Sequence, residues 1–293
     1  MGNLATGKLV TNWYQARRGS MLGIASMGIS ASGLLMPLIT AWLINAFGWR
    51  QVFVIFALVL WLVILPFVWH FVKGDPADIG QHPYGATTDP QTQAQPVVVR
   101  TALWRDQRFW GVALVFGLML SAVAAVLTHL VPIVVDMGFS LEKAAPMLSC
   151  TAGVAILGKF LLGNISDRVG PHRAVICAIS ALTLGLWLLR DATTYQEGLI
   201  AVSIFGLGMG GVVPLQAALV GDIFGGNRFG EVMGWMRPVM MPLAIIGVPL
   251  AGWVFDTTGS YTGAFNIFLG GFCLAAVLLF VLSGRHQGKR AVP

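Results

Sequence analysis

Eight stretches of this 293-residue chain are long and apolar enough to cross a lipid bilayer, and nothing else constrains its fold so tightly. They run over 21–46, 51–72, 109–135, 144–165, 174–189, 198–220, 232–255 and 263–283. About 20 apolar residues in a helix span the hydrocarbon core. The fifth span is the shortest and is expected to extend into its flanks. In hydrocarbon every backbone N–H and C=O must be paired within the protein, which leaves helices or a closed barrel. Strict alternation of apolar and polar residues is absent, so the barrel is set aside. Only 10% of residues are charged and 56% are hydrophobic, where soluble domains carry about 25% charged residues. The expected fold is an all-α membrane protein with eight transmembrane helices.

The net charge of +6 is a matter of topology, with no nucleic-acid partner needed. An even number of spans puts both ends on one side. Of the 18 Lys and Arg residues, 14 fall on or near that side. Arg50, Lys143 and Arg190 lie opposite, and Arg237 lies within the membrane. The positive-inside rule then places both termini in the cytoplasm, with a bacterial inner membrane as the expected location. Cys150, Cys177 and Cys273 all lie in apolar spans, without spacing that fits a disulfide frame or a zinc site. Residues 1–19 lack the apolar core and cleavage site of a signal peptide.

One long polar interruption, 74–107, holds Pro76, Pro83, Pro90 and Pro96 and reads as a flexible linker. It divides the chain into 1–73 and 108–293. From Val99 to Trp110, arginines alternate with Trp104, Phe109 and Trp110, as expected of a short interfacial helix. A shift of 211 residues lays Arg17, Gly19, Gly23, Trp42 and Gly48 on Arg228, Gly230, Gly234, Trp253 and Gly259. Either this is a parallel internal repeat, or small-residue helix starts have recurred by chance.

The turn Gly163-Asn-Ile-Ser-Asp167-Arg168-Val-Gly170-Pro-His-Arg173 resembles the loop signature of the major facilitator superfamily, G-x-x-x-D-R-x-G-x-x-R, with Pro171 where a basic residue is common. Further residues are similar to the oxalate/formate and monocarboxylate carrier branch: Trp13-Tyr14 before Arg17-Arg18-Gly19, Gly48-Trp49-Arg50, Gly158-Lys159 before Gly163, and Asp256-Thr-Thr-Gly259-Ser260-Tyr261. The resemblance implies that the eight spans correspond to helices 5–12 of a twelve-helix carrier. Residues 1–73 would then be the end of helix 4 with helices 5 and 6, and helices 1–3 would lie outside this sequence. A native eight-helix protein is the alternative.

Charges inside the membrane are costly and mark candidate sites. Lys159 and Arg237 each sit about 12 Å from the cytoplasmic boundary, at 1.5 Å per residue. The spans offer no obvious acid partner, so together the two cations form a candidate carboxylate-binding pair. Lys159 can instead snorkel to the headgroups. The resemblance implies that a helix 8 cation at the place of Lys159 contacts substrate carboxylate, with Arg237 the match for a helix 11 cation. Ala155 stands where proton-coupled relatives carry an acid, which leaves exchange or uniport open. Gln216 can face a cavity or bridge helices, and His129 can line a pathway, shuttle a proton or simply pack. Asp167 can accept hydrogen bonds at a helix start, which the resemblance assigns to the seventh span. Gly163, Arg168, Gly170 and Arg173 complete the loop, and Arg173 can equally be a plain anchor.

Gly206-x-Gly208-x-x-Gly211 matches a dinucleotide fingerprint by letter, but no strand precedes it, and close helix packing is the better reading. Met233, Met236, Met240 and Met241 read as an interface cluster. No catalytic constellation can be assembled, so an enzyme is not expected, nor a cofactor or metal. The resulting expectation is a secondary transporter moving a small organic anion by alternating access, with a coupling ion or counter-substrate open. The rivals are a non-transporting sensor on a carrier fold and an inactive fragment.

Overall fold

Each apolar span becomes a helix, and Gly48, Gly170, Gly225 and Gly259 end four of them. The computed structural model describes residues 2–14, 16–85 and 103–290. After α1, Gly2–Trp13, comes α2, Arg18–Phe47, a continuous helix of 30 residues. α3, Trp49–Val59, and α4, Leu65–Phe71, are joined into one rod by a π turn over Leu60–Ile64. Pro66 has no N–H to continue an α ladder, and the wider turn, in which Leu65 N–H donates to the Leu60 carbonyl, absorbs the mismatch. The remaining helices are α5, Gln107–Asp136; α6, Leu141–Val169; α7, Pro171–Asp191; α8, Tyr195–Phe224; α9, Gly226–Thr258; and α10, Thr262–Arg290.

Among the described residues, seven helices are long and apolar enough to cross a membrane, from the Trp49–Phe71 rod to Thr262–Leu282. They match the second to eighth spans. The first span lies in α2, about 45 Å long at 1.5 Å per residue. The fifth span does extend into its flanks, as the 21 residues of α7.

α8 is the axle of the molecule. Its glycines bring neighbouring backbones into contact: a Cβ at Gly206 would lie 2.6 Å from the Thr151 carbonyl of α6, and one at Gly208 would lie 2.8 Å from the Ala178 carbonyl of α7. The G-x-G-x-x-G letters therefore serve helix packing inside a continuous helix. α6 and α7 flank α8, α5 lies along α9, α10 covers α5 and α7, and α2 runs along α6. Phe109, Phe116, Phe205, Phe229 and Phe272 fill the core. The α3–α4 rod packs on α2 and, among its described side chains, buries Val52 alone.

Of the polar segment, residues 74–85 and 103–107 are described. Its start is strapped to the α1–α2 elbow: Tyr84 N–H donates to the Trp13 carbonyl at 2.8 Å, and Ala16 N–H to the Tyr84 carbonyl at 3.1 Å. Trp13 Nε1 donates to the Lys73 carbonyl at 2.9 Å, beside a 3-10 turn at Pro76–Ile79. Residues 99–102 of the expected interfacial helix lie outside the described residues. A 3-10 turn, Leu103–Arg105, leads to Asp106, which caps α5 by accepting from Arg108 N–H at 2.9 Å.

The 211-residue shift can be compared at the ends of α2 and α9, where Gly48 has ψ 154° and Gly259 ψ 13°. Gly48 and Gly259 both adopt positive φ, at 77° and 70°, and stop their helices. At the other end the two copies diverge. Gly19 and Gly23 touch α6, whereas Gly230 and Gly234 meet nothing within 4 Å.

Candidate functional site

Lys159, Gly163 and Asp167 are four residues apart on α6 and therefore share one face. α2 covers that face. Cβ atoms at Gly19 and Gly23 would each fall 2.5 Å from an α6 carbonyl, those of Gly163 and Lys159, so only glycine lets the helices meet there. At the loop end, the Asp167 carboxylate accepts from Gly19 N–H at 2.5 Å and Ser20 N–H at 2.7 Å. These are amides of the first turn of α2, which carry no intrahelical partner. Asp167 thus supplies the cap that Arg17, at φ 55° and without a side-chain capping bond, does not. The resemblance assigns this contact to the seventh span; the structure makes it with α2, in the first span.

Lys159 is 7% exposed and donates from Nζ to the Ser26 carbonyl of α2 at 3.0 Å. It is therefore not one of a pair of unengaged cations, and it is not part of the cavity lining. Arg168 and Arg173 are exposed. Gly170, at φ 91°, is the hinge between α6 and α7. In the same turn, His172 Nδ1 lies 3.8 Å from Asp222 at the end of α8.

A cavity of about 360 Å³ lies between α1 and α2 on one side and α5, α8 and α9 on the other. Arg237 and Gln216 both line it, with Ser26 and Thr6 across from them and Met233, Met240 and Met241 along the wall. Arg237 has no hydrogen bond or ion pair among the described residues. Arg237 is exposed, and a guanidinium without a charge partner, set among apolar side chains, attracts an anion. α1 forms the floor, where Gly7 lies so close to the buried Phe229 ring of α9 that a Cβ there would sit 3.2 Å from it.

His129 lies elsewhere, toward the opposite end. Its Nε2 is 3.0 Å from the Val248 carbonyl, which can only accept, so Nε2 carries the proton and Nδ1 accepts from the Tyr261 hydroxyl at 3.1 Å. Both ring nitrogens are thereby engaged in bracing α5, α9 and the turn before α10, and His129 does not line the cavity. Burial, then the charges of Asp136 and Asp256, push the Tyr261 hydroxyl above its usual range and keep it a donor. The residues that sequence reasoning passed over are Ser26, Thr6 and the Gly19–Ser20 amides. Only Gly19 and Gly23, at helical spacing, carried a legible signal of close packing.

A family model described as Major Facilitator Superfamily matches residues 1–241 and 147–293. The chain belongs to that superfamily. Major facilitator relatives among curated proteins are named transporters, and the chain is an integral membrane protein of this family. It is similar to monocarboxylate transporter 13 of Bos taurus, 26% identical over 91% of this chain and 60% of the relative. It is also similar to the hexuronate transporter of Bacillus subtilis (strain 168), 26% identical over 97% of this chain and 71% of the relative, and to monocarboxylate transporter 12 of Rattus norvegicus, 25% identical over 97% and 64%. The chain thus spans about two thirds of the length of these relatives.

Proposed function

We propose that the chain carries the substrate site of a secondary transporter that moves a small organic anion by alternating access. The observation that carries this reading is Arg237, a guanidinium with no charge partner among the described residues, in the wall of a cavity between helices from 1–73 and helices from 108–293. On this reading all eight spans cross the membrane and 74–107 joins the two units. Both termini face the cytoplasm of a bacterial cell, and exchange and uniport are both open. Arg237 binds the carboxylate in this conformation. Lys159 joins it after leaving the Ser26 carbonyl, so its arrival at the substrate is coupled to movement of α2 against α6. Release of the Asp167 bonds to α2, with separation of α1 from α9, opens the loop end. Two of the relatives are named for monocarboxylates and one for hexuronate, all carboxylates, which agrees with a cationic cavity.

Proteoliposomes holding the chain test this by uptake of labelled monocarboxylates and hexuronates. Arg237→Gln is expected to lower uptake by about a hundredfold, the scale of losing a charge-assisted contact. Uptake of carboxylate unaffected by Arg237→Gln would overturn the assignment.

A further inference from the structure

Gln216 is a polar residue in an apolar span, 8% exposed, on the side of α8 that lines the cavity. Its Nε2 donates to the Met240 sulfur at 3.0 Å and to the Met236 sulfur at 3.6 Å. The two methionines stand one turn apart on α9, placed to receive the two hydrogens of a single amide group. A thioether can accept a hydrogen bond but has nothing to donate. The pairing therefore works in only one sense. Turned over, the amide would set its oxygen against two sulfurs and leave both N–H groups aimed away from them. The methionines fix which end of the amide points away from α9. The oxygen, Oε1, accepts no hydrogen bond among the described residues and is not among the buried atoms left without a partner, so it opens on the cavity. Arg237 lies on the same stretch of α9, directly after Met236, and lines the same cavity. The Ser26 hydroxyl, across the cavity, is committed to the Leu22 carbonyl at 2.6 Å.

The cavity thus pairs a cation with a fixed acceptor. We propose that Gln216 is a specificity-determining residue that selects, among carboxylates held by Arg237, those bearing a hydroxyl group. This rests on the anion-binding reading of the same cavity. The hydroxyl donates to Oε1 while the carboxylate meets Arg237. An ammonium group is a poorer occupant, because it brings a second positive charge into a small cavity beside a guanidinium. A carboxylate without a donor leaves Oε1 desolvated and unpaired, and sites built to hydrogen-bond a substrate hydroxyl discriminate strongly for that reason.

Lactate and propionate, which differ by one hydroxyl, are suitable probes for equilibrium binding to the purified chain. The wild type is expected to bind lactate about tenfold or more tightly than propionate. Gln216→Leu, similar in size, should bring the two within about twofold, by weakening lactate and by relieving propionate of the unpaired Oε1. Met236→Leu combined with Met240→Leu should weaken the same preference by freeing the amide, with no change of charge in the cavity. It decides the matter by the same ratio if Gln216→Leu does not fold. Equal wild-type affinities, or a preference that survives both variants, would overturn the proposal. If both acids bind in an Arg237-dependent way without preference, only the role of Gln216 fails. If neither binds and Arg237→Gln changes nothing, the anion reading fails and this proposal falls with it.

Discussion

Two side chains, Asp167 and His129, each satisfy more than one polar group, and the removal of either should cost stability. Asp167 caps α2 through two charge-assisted hydrogen bonds. Asp167→Ala strands two amides, at a cost of about 2–3 kcal/mol. Hydrogen exchange at Gly19 and Ser20 should accelerate by roughly thirtyfold or more, and exchange unchanged at those amides would contradict the cap. Arg17 in the left-handed region depends on the same contact, since a non-glycine residue at φ 55° needs surrounding structure to hold it. His129 does not line the cavity, so His129→Phe should lower thermal stability by about 1–3 kcal/mol while substrate affinity stays within about twofold. Tyr261 adds a pH signature. Its hydroxyl is held protonated above the usual tyrosine value, so the folded form keeps its proton after the unfolded chain has lost it. Stability from this group is complete below about pH 10 and declines as the pH rises above that. Tyr261→Phe should abolish that part of the alkaline decline in a pH series of unfolding curves.

At the scale of helices, the close crossing of α2 over α6 depends on Gly19, Gly23 and Gly163. Gly23→Leu must push α2 off the Lys159 carbonyl, and with it break the Lys159 bond to Ser26. An overpacking cost of about 1–3 kcal/mol or more is expected, read as a lower melting temperature, whereas Gly230→Leu, in open space on α9, should be close to neutral. This pair of substitutions also explains why the partner of Asp167 was not legible in the sequence. The repeat offers two equivalent helix starts, Arg17-Arg18-Gly19 and Arg228-Phe229-Gly230, and spacing alone cannot choose between them. The three-dimensional packing chooses: Phe229 is buried under α1, and Gly19 meets Gly163. The helices themselves were legible, because a bilayer admits helices or a closed barrel, and continuous apolar runs without alternation leave the helix. Arg237 was legible for the related reason that a charge within a span needs a purpose. The engagement of Lys159 with Ser26 was not, since a backbone carbonyl acceptor leaves no mark in residue identity. The docking of residues 73–85 on the α1–α2 elbow was hidden in the same way, because the acceptors on both sides are backbone carbonyls.

For the whole molecule, the arrangement of spans requires that the Gly170 turn and the Gly259 turn lie on opposite faces of the membrane. Single cysteines placed at those turns, in a background with Cys150, Cys177 and Cys273 replaced by serine or alanine, should label from opposite sides of sealed vesicles. Labelling of both from one side would contradict that arrangement. α8 connects this architecture to the way such a protein can change over evolutionary time. Gly206 and Gly208, on opposite sides of it, rest directly on the backbones of α6 and α7, where a Cβ is already too large. A separate strip, with Val213, Gln216 and Ala217, borders open cavity. Side chains added at the two glycines should disrupt the packing whatever the cavity holds, while changes along the cavity strip should, on the proposed reading, alter what is recognised and leave the scaffold standing. On that reading, a lineage carrying this helix can exchange one cargo for another by small steps along a single strip of residues, at little risk to its folding.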